Sequence, residues 1–198
     1  MRRRVGRPLA RAPRSVIGYH GCSTEAAQRI LSAQRFIRSE NSYDWLGVGV
    51  YFWEYGPFRA AEWAKTRFNE DAAVLQATIR LGRCLNLLDP RHYGGLLRAY
   101  ELAVDEFARR DVPLLKNRRG AHFLDRLIIE SYCEDEAIVA GEGYSTVRGC
   151  YPEGAPVFPG SRILRETHVQ IAVRINSCIS QLRQISLEQI DTGNQGGI

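Results

Sequence analysis

The sequence predicts an α+β fold, on three observations. Its apolar runs are short, a helix follows the first of them directly, and a block of helices interrupts the chain before the last strand-like segments. Two small antiparallel sheets splayed around a cleft are the architecture these features suggest. At 198 residues the chain fits one domain. Its expected organisation is an arginine-rich disordered tail over 1–14, the folded domain over 15–192 with a helical insertion at 93–131, and a flexible end over 193–198.

Taken in order, Ser15 to His20 reads as a strand. Ser23-Thr24 offers a hydroxyl cap for a helix whose Ala27, Ile30 and Leu31 recur at helical spacing and face the core. Phe36 to Ser39 and Val48 to Trp53 read as two further strands. Pro57 suits the first turn of a second helix, with Phe58, Ala61, Trp63, Ala64 and Phe68 on its apolar side. Val74 to Leu81 and Cys84 to Leu88 are strand-like and stop at Asp89-Pro90. Residues 93–131 then carry two amphipathic segments, with Arg118-Arg119 as a solvated turn between them. Gly, Pro and Tyr dominate 141–162, which suggests a long ordered loop. Thr167 to Val173 alternates as a half-buried strand does, and Ile179 to Ile190 reads as a last strand or docking segment.

The formal charge of +5 is unevenly spread. Six arginines and no acid lie in residues 1–14, and the rest of the chain carries 21 basic against 22 acidic residues. A basic arm of this kind suits phosphate backbones without sequence preference, the alternatives being a disordered leader with no function or a start codon placed too far upstream. No run of about eighteen apolar residues is present to span a membrane, and the basic N-terminus lacks the apolar stretch of a secretory signal. The five cysteines form no CxxC pair and no zinc-ligand spacing. The expectation is a cytoplasmic protein with reduced cysteines, no metal and no membrane contact.

The residues with chemistry in them are Tyr19-His20-Gly21-Cys22 and Gly47-Val48-Gly49-Val50-Tyr51-Phe52-Trp53. On neighbouring strands these place an imidazole and a phenol at one cleft, with glycines that let a ligand approach the backbone. The pattern resembles the ADP-ribosyltransferase superfamily, in its poly-ADP-ribose-polymerase-like and diphtheria-toxin-like branch with a His-Tyr-Glu constellation. His20-Gly21-Cys22 stands where that family has His-Gly-Ser or His-Gly-Thr. Gly47 to Phe52 stands where it has Gly-Lys-Gly-Ile-Tyr-Phe. Trp63 falls near the family's second nicotinamide-stacking aromatic.

The resemblance implies NAD as co-substrate, held by His20, Gly21, Cys22, Gly49, Tyr51 and Trp63. His20 would bond a ribose hydroxyl, Gly21 would offer its backbone N–H and C=O to the carboxamide, and Tyr51 would stack on the nicotinamide ring, with Trp63 on its other side. The family's glutamate belongs on the strand at Glu166 to Val173. There Glu166, His168 and Gln170 share one face, and Gln170 stands at the expected place. The three remain candidates for the third catalytic position: Gln170 as an uncharged bonding group, Glu166 as the carboxylate, His168 as a base. Glu153 and Glu142 lie in the preceding loop, on the acceptor side in this family. The implied activity is mono-ADP-ribosyl transfer to a protein or nucleic acid by a small toxin or effector, with a neutralising partner protein. NAD hydrolysis and non-catalytic NAD or ADP-ribose binding are the alternatives.

Overall fold

A computed structural model describes residues 14–41, 43–118 and 121–193. The arginine tail expected to be disordered lies almost wholly outside them, as do Arg119 and residues 194–198. The described chain is α+β, with strands β1 (Ser15–Ser23), β2 (Val50–Glu54), β3 (Ala72–Arg80), β4 (Cys84–Asn86), β5 (Thr146–Tyr151), β6 (His168–Val173) and β7 (Ile179–Ile185). The helices are α1 (Thr24–Ala33), α2 (Pro57–Phe68), α3 (Tyr93–Arg109), α4 (Phe123–Ala140) and α5 (Leu187–Gly193).

The strands form one seven-stranded sheet in the order β4-β5-β6-β2-β1-β3-β7, where two sheets were expected. It is mixed and not purely antiparallel, because β4 runs parallel to β5. The sheet is joined unevenly, with one narrow seam. β1 pairs with β3 through nine residue pairs from Ser15↔Arg80 to Ser23↔Ala72, but with β2 through only Gly18↔Glu54 and Tyr19↔Trp53.

Alternation along the strands builds a different core on each face. One face carries Val16, Phe52, Leu75, Ile79, Ile171 and Val173, closed by Ala27, Ile30 and Leu31 of α1. Ser23 caps that helix by accepting the Ala26 amide at 3.2 Å, as its position before Thr24 predicts. The other face is covered in two places. Ala60 and Ala61 of α2 pack on Trp53 and Val74, while Ile129 and Cys133 of α4 pack on Val147 and Ala172. Pro57 opens α2 as expected. The cleft lies between these two covers.

Several boundaries differ from the sequence reading. Phe36 to Ser39 is not a strand. Phe36 is 3% exposed, and its backbone amide and carbonyl bond the Asn176 side chain at 3.0 and 3.1 Å. Only Ser39 bridges Gly49. β2 begins at Val50 because the Val48 amide is taken by Glu130 Oε1. The expected loop over 141–162 contains β5, a strand hidden by Arg148, Gly149 and Cys150 at its centre. α4 runs nine residues past the amphipathic segment and ends at Gly141, whose φ of 68° suits glycine. Residues 179–190 divide into β7 and the start of α5.

Candidate functional site

The site grows out of the interrupted seam. The Tyr55 amide donates to the Ile17 carbonyl at 3.0 Å, so Ile17 with Tyr55 and Tyr19 with Trp53 are the hydrogen-bonded pairs of an antiparallel ladder. Gly21 with Tyr51 would be the next, but the pairing stops at Tyr19↔Trp53. His20 Nδ1 instead lies 2.9 Å from the Tyr51 carbonyl. A carbonyl only accepts, so Nδ1 carries the proton and Nε2 is left as an acceptor. The same alternation turns the Gly21 amide and carbonyl toward the gap.

His20 is wedged between the rings of Phe36 and Phe52, with centroids 5.1 and 5.6 Å away. Burial keeps its pKa below the usual histidine value, so the imidazole is neutral at pH 7. Tyr51 is fixed at its far end: the phenol accepts the Leu46 amide at 2.9 Å and donates to the Gly47 carbonyl at 2.8 Å. Burial, then the Asp44 charge, raises its pKa, which makes it a protonated aromatic surface and not a base.

A cleft of about 320 Å³ follows, lined by Gly21, Tyr51, Trp53, Gln170 and Tyr151 on the sheet, by Arg59 and Trp63 on α2, and by Trp45, His122 and Glu153 from the connecting segments. A second cavity of about 650 Å³ lies on the α1 side, lined by Arg29, Arg35, Arg38, Phe36 and Asn176 among others. His20 lines both.

His20, Gly21, Tyr51, Trp63 and Gln170 therefore share one cleft. Gln170 Oε1 accepts from Trp45 Nε1 at 2.7 Å, which directs the amide's N–H donors away from Trp45. His168 and Glu166 stand differently from expectation. His168 Nδ1 bonds the Glu166 carbonyl at 2.6 Å, its side chain is 6% exposed, and Nε2 is enclosed without a partner. Burial also lowers its pKa. Glu166 does not line the cleft and lies 3.4 Å from Arg59, which also pairs with Glu153 at 2.8 Å.

Cys22 and Gly49 are not brought to the cleft. Cys22 is buried in the core on the α1 face, and burial pushes its thiol up to about 11. A Cβ on Gly49 would meet Ala172 at 3.0 Å, so this glycine serves strand packing. Glu142 uses its carbonyl on Arg83, away from the cleft.

The sequence reading missed Trp45, Arg59, His122 and Tyr151 as lining residues, and left Trp53 without a role. Trp53 was recoverable, since it lies two residues from Tyr51 and so on the same face. The others come from a loop, a helix, the turn before α4 and an unrecognised strand, and no local pattern announces them. Compared with known proteins, the chain matches no family model and no curated sequence significantly. No helix of the described residues is long and apolar enough to cross a membrane, and no group of three potential metal ligands occurs among them.

Proposed function

We propose that the chain is an NAD-dependent ADP-ribosyltransferase, the activity implied by its His-Gly and Gly-x-Gly-x-Tyr-Phe motifs. The observation that supports it is the seam that opens at Gly21, where a neutral histidine meets two cavities. His20 Nε2, an acceptor, suits a ribose hydroxyl. The Gly21 backbone suits a carboxamide, which needs a donor and an acceptor side by side. The Tyr51 ring, held by its phenol, offers a stacking face for nicotinamide, and Trp63 lines the same cleft. The cavity with Arg29, Arg35 and Arg38 suits the pyrophosphate half of the dinucleotide.

In this reading the C1′–N1 bond breaks and its electron pair leaves with neutral nicotinamide. The ribosyl cation then forms among groups that position it, and an acceptor lone pair bonds C1′. Gln170 bonds the ribose 2′-oxygen without bringing a charge. The acceptor is a protein or a nucleic acid, and the motifs' resemblance extends the reading to a toxin or effector with a neutralising partner.

Purified protein incubated with adenylate-labelled NAD, with and without lysate or nucleic acid, tests the reading. Transfer puts label on macromolecules. Free ADP-ribose alone makes the protein a glycohydrolase, with water in place of the acceptor, whereas Gln170 in place of a carboxylate is consistent with a binding module. Intact NAD with measurable binding heat makes it a binding module. His20→Ala and Tyr51→Ala are each expected to lower nicotinamide release about a hundredfold, because the bound NAD is no longer positioned. Full turnover by either variant removes the site assignment.

A further inference from the structure

We propose that Tyr151, backed by His122 and Asp125, removes the proton from the acceptor, so that the site serves a hydroxyl or N–H nucleophile and not a carboxylate. This rests on the transferase reading above and names the acceptor chemistry it lacks.

The three side chains form a directed chain. The Tyr151 hydroxyl is 2.9 Å from His122 Nε2, and His122 Nδ1 is 3.5 Å from Asp125 Oδ2. The carboxylate favours the proton on Nδ1, which leaves Nε2 to accept from the phenol. The phenol oxygen then has lone pairs for a proton arriving from the cleft, which Tyr151 and His122 line together with Gln170. Register brings them close: Tyr151 pairs with His168, and Gly149 pairs with Gln170, two residues along the same face.

The chain is also held in place. Trp45 and His168 flank the Tyr151 ring at 5.2 and 5.6 Å. Asn117 Oδ1 accepts the Leu124 and Asp125 amides at 3.0 and 3.2 Å, which fixes the first turn of α4 beside His122. Burial, with the charges of Glu153 and Asp125, keeps the Tyr151 phenol above its ordinary pKa, so it stays protonated and passes a proton on.

The other candidate bases near the cleft are committed elsewhere: Asp44, which also lines it, is buried and accepts the Asn41 amide. Gln170 has no basic atom. His168 is tied to the Glu166 carbonyl, and its free nitrogen is enclosed. Glu153 and Glu166 face the Arg59 guanidinium. In the step itself, the C1′–N1 pair leaves with nicotinamide and the acceptor's lone pair bonds C1′ of the ribosyl cation. The acceptor's proton moves to the Tyr151 oxygen as the phenol proton moves to His122 Nε2, giving an imidazolium facing Asp125. A carboxylate acceptor, already ionised, needs none of this.

Tyr151→Phe and His122→Ala in the full chain test it, using adenylate-labelled NAD and lysate macromolecules as the acceptor pool. Nicotinamide release and transferred label are counted in the same tube. Label transferred per nicotinamide released is expected to fall about a hundredfold in both variants, as for loss of a general base. Added imidazole restores transfer to His122→Ala, and the wild-type product is released by neutral hydroxylamine far more slowly than an ester, which that reagent cleaves fast. An unchanged ratio in both variants, or label released by hydroxylamine as fast as from an ester, overturns the proposal while the transferase reading stands. Wild-type protein that releases no nicotinamide overturns the transferase reading, and this proposal with it.

Discussion

The two sides of β1 are built in opposite ways. Toward β3 the strand is joined by nine residue pairs of continuous ladder. Toward β2 it is joined by two, and beyond them by side chains: His20 on the Tyr51 carbonyl, and the Phe36, Phe52 and His20 rings packed together, with Phe36 edge-on to both others. Gly18 belongs to the same arrangement, because a Cβ there would meet the Phe52 Cβ at 2.9 Å. A backbone group can serve a ligand only where the strand has released its neighbour. The wide ladder supplies rigidity, and the narrow seam supplies the backbone edge at Gly21 that the candidate site uses.

The largest expected effect comes from removing the ring that holds the seam. Phe52 is fully buried, and Phe52→Ala is expected to lower stability by about 3–5 kcal/mol in urea denaturation. The contrast between the two sides adds a sharper expectation for hydrogen exchange. Amides of β2 lose protection first, while those of β1 facing β3 keep theirs, since that ladder does not depend on Phe52. Equal loss on both sides would mean that the seam opens only with the whole sheet.

The same contrast explains what the sequence could disclose. β1, α1, α2, β3 and β6 are legible because each repeats a local period: apolar spacing, a Ser23 cap, a Pro57 start. His20, Gly21 and Tyr51 are legible because two short motifs carry them. The seam itself is not, because nothing local says that Tyr51 will accept from an imidazole and not from Gly21. β5 was missed because Arg148 turns inward to Glu54, bonding it at 2.5 and 2.7 Å, and Gly149 lies under Trp45. A charged residue paired across the fold reads as loop until its partner is known. With β5 went Tyr151, and with the turn before α4 went His122.

A smaller effect is expected where α4 fastens the start of β2. Glu130 accepts from the Val48 amide and from both Arg174 Nη atoms, at 2.5, 2.7 and 2.8 Å. Burial opposes its ionisation, but the hydrogen bonds and charge of Arg174 outweigh it and hold the carboxyl below its usual pKa. A folded pKa below the unfolded one gives stability that is present above the unfolded value, about 4.3, and is lost as pH falls through the folded value. Glu130→Gln should therefore lose about 1.5–3 kcal/mol at pH 7. The gap between variant and wild type should narrow as pH drops below the ordinary carboxylate range. A gap independent of pH would show that shape, and not charge, fastens the loop.

The smallest effect isolates one bond on the cleft side of the seam. Trp45 Nε1 donates to Gln170 at 2.7 Å, and the indole also lies against bare backbone, since a Cβ on Gly149 would meet it at 2.5 Å. Trp45→Phe thus removes a donor and leaves a gap, and its loss of stability alone cannot apportion the two. A double-mutant cycle with Gln170→Leu can, because the gap is common to both arms while the bond is not. The coupling expected for a single neutral hydrogen bond is about 1 kcal/mol by chemical denaturation. Coupling near zero would mean that Gln170 is positioned by β6 alone. In that case its orientation, unlike that of Tyr51, owes nothing to the loop between α1 and β2.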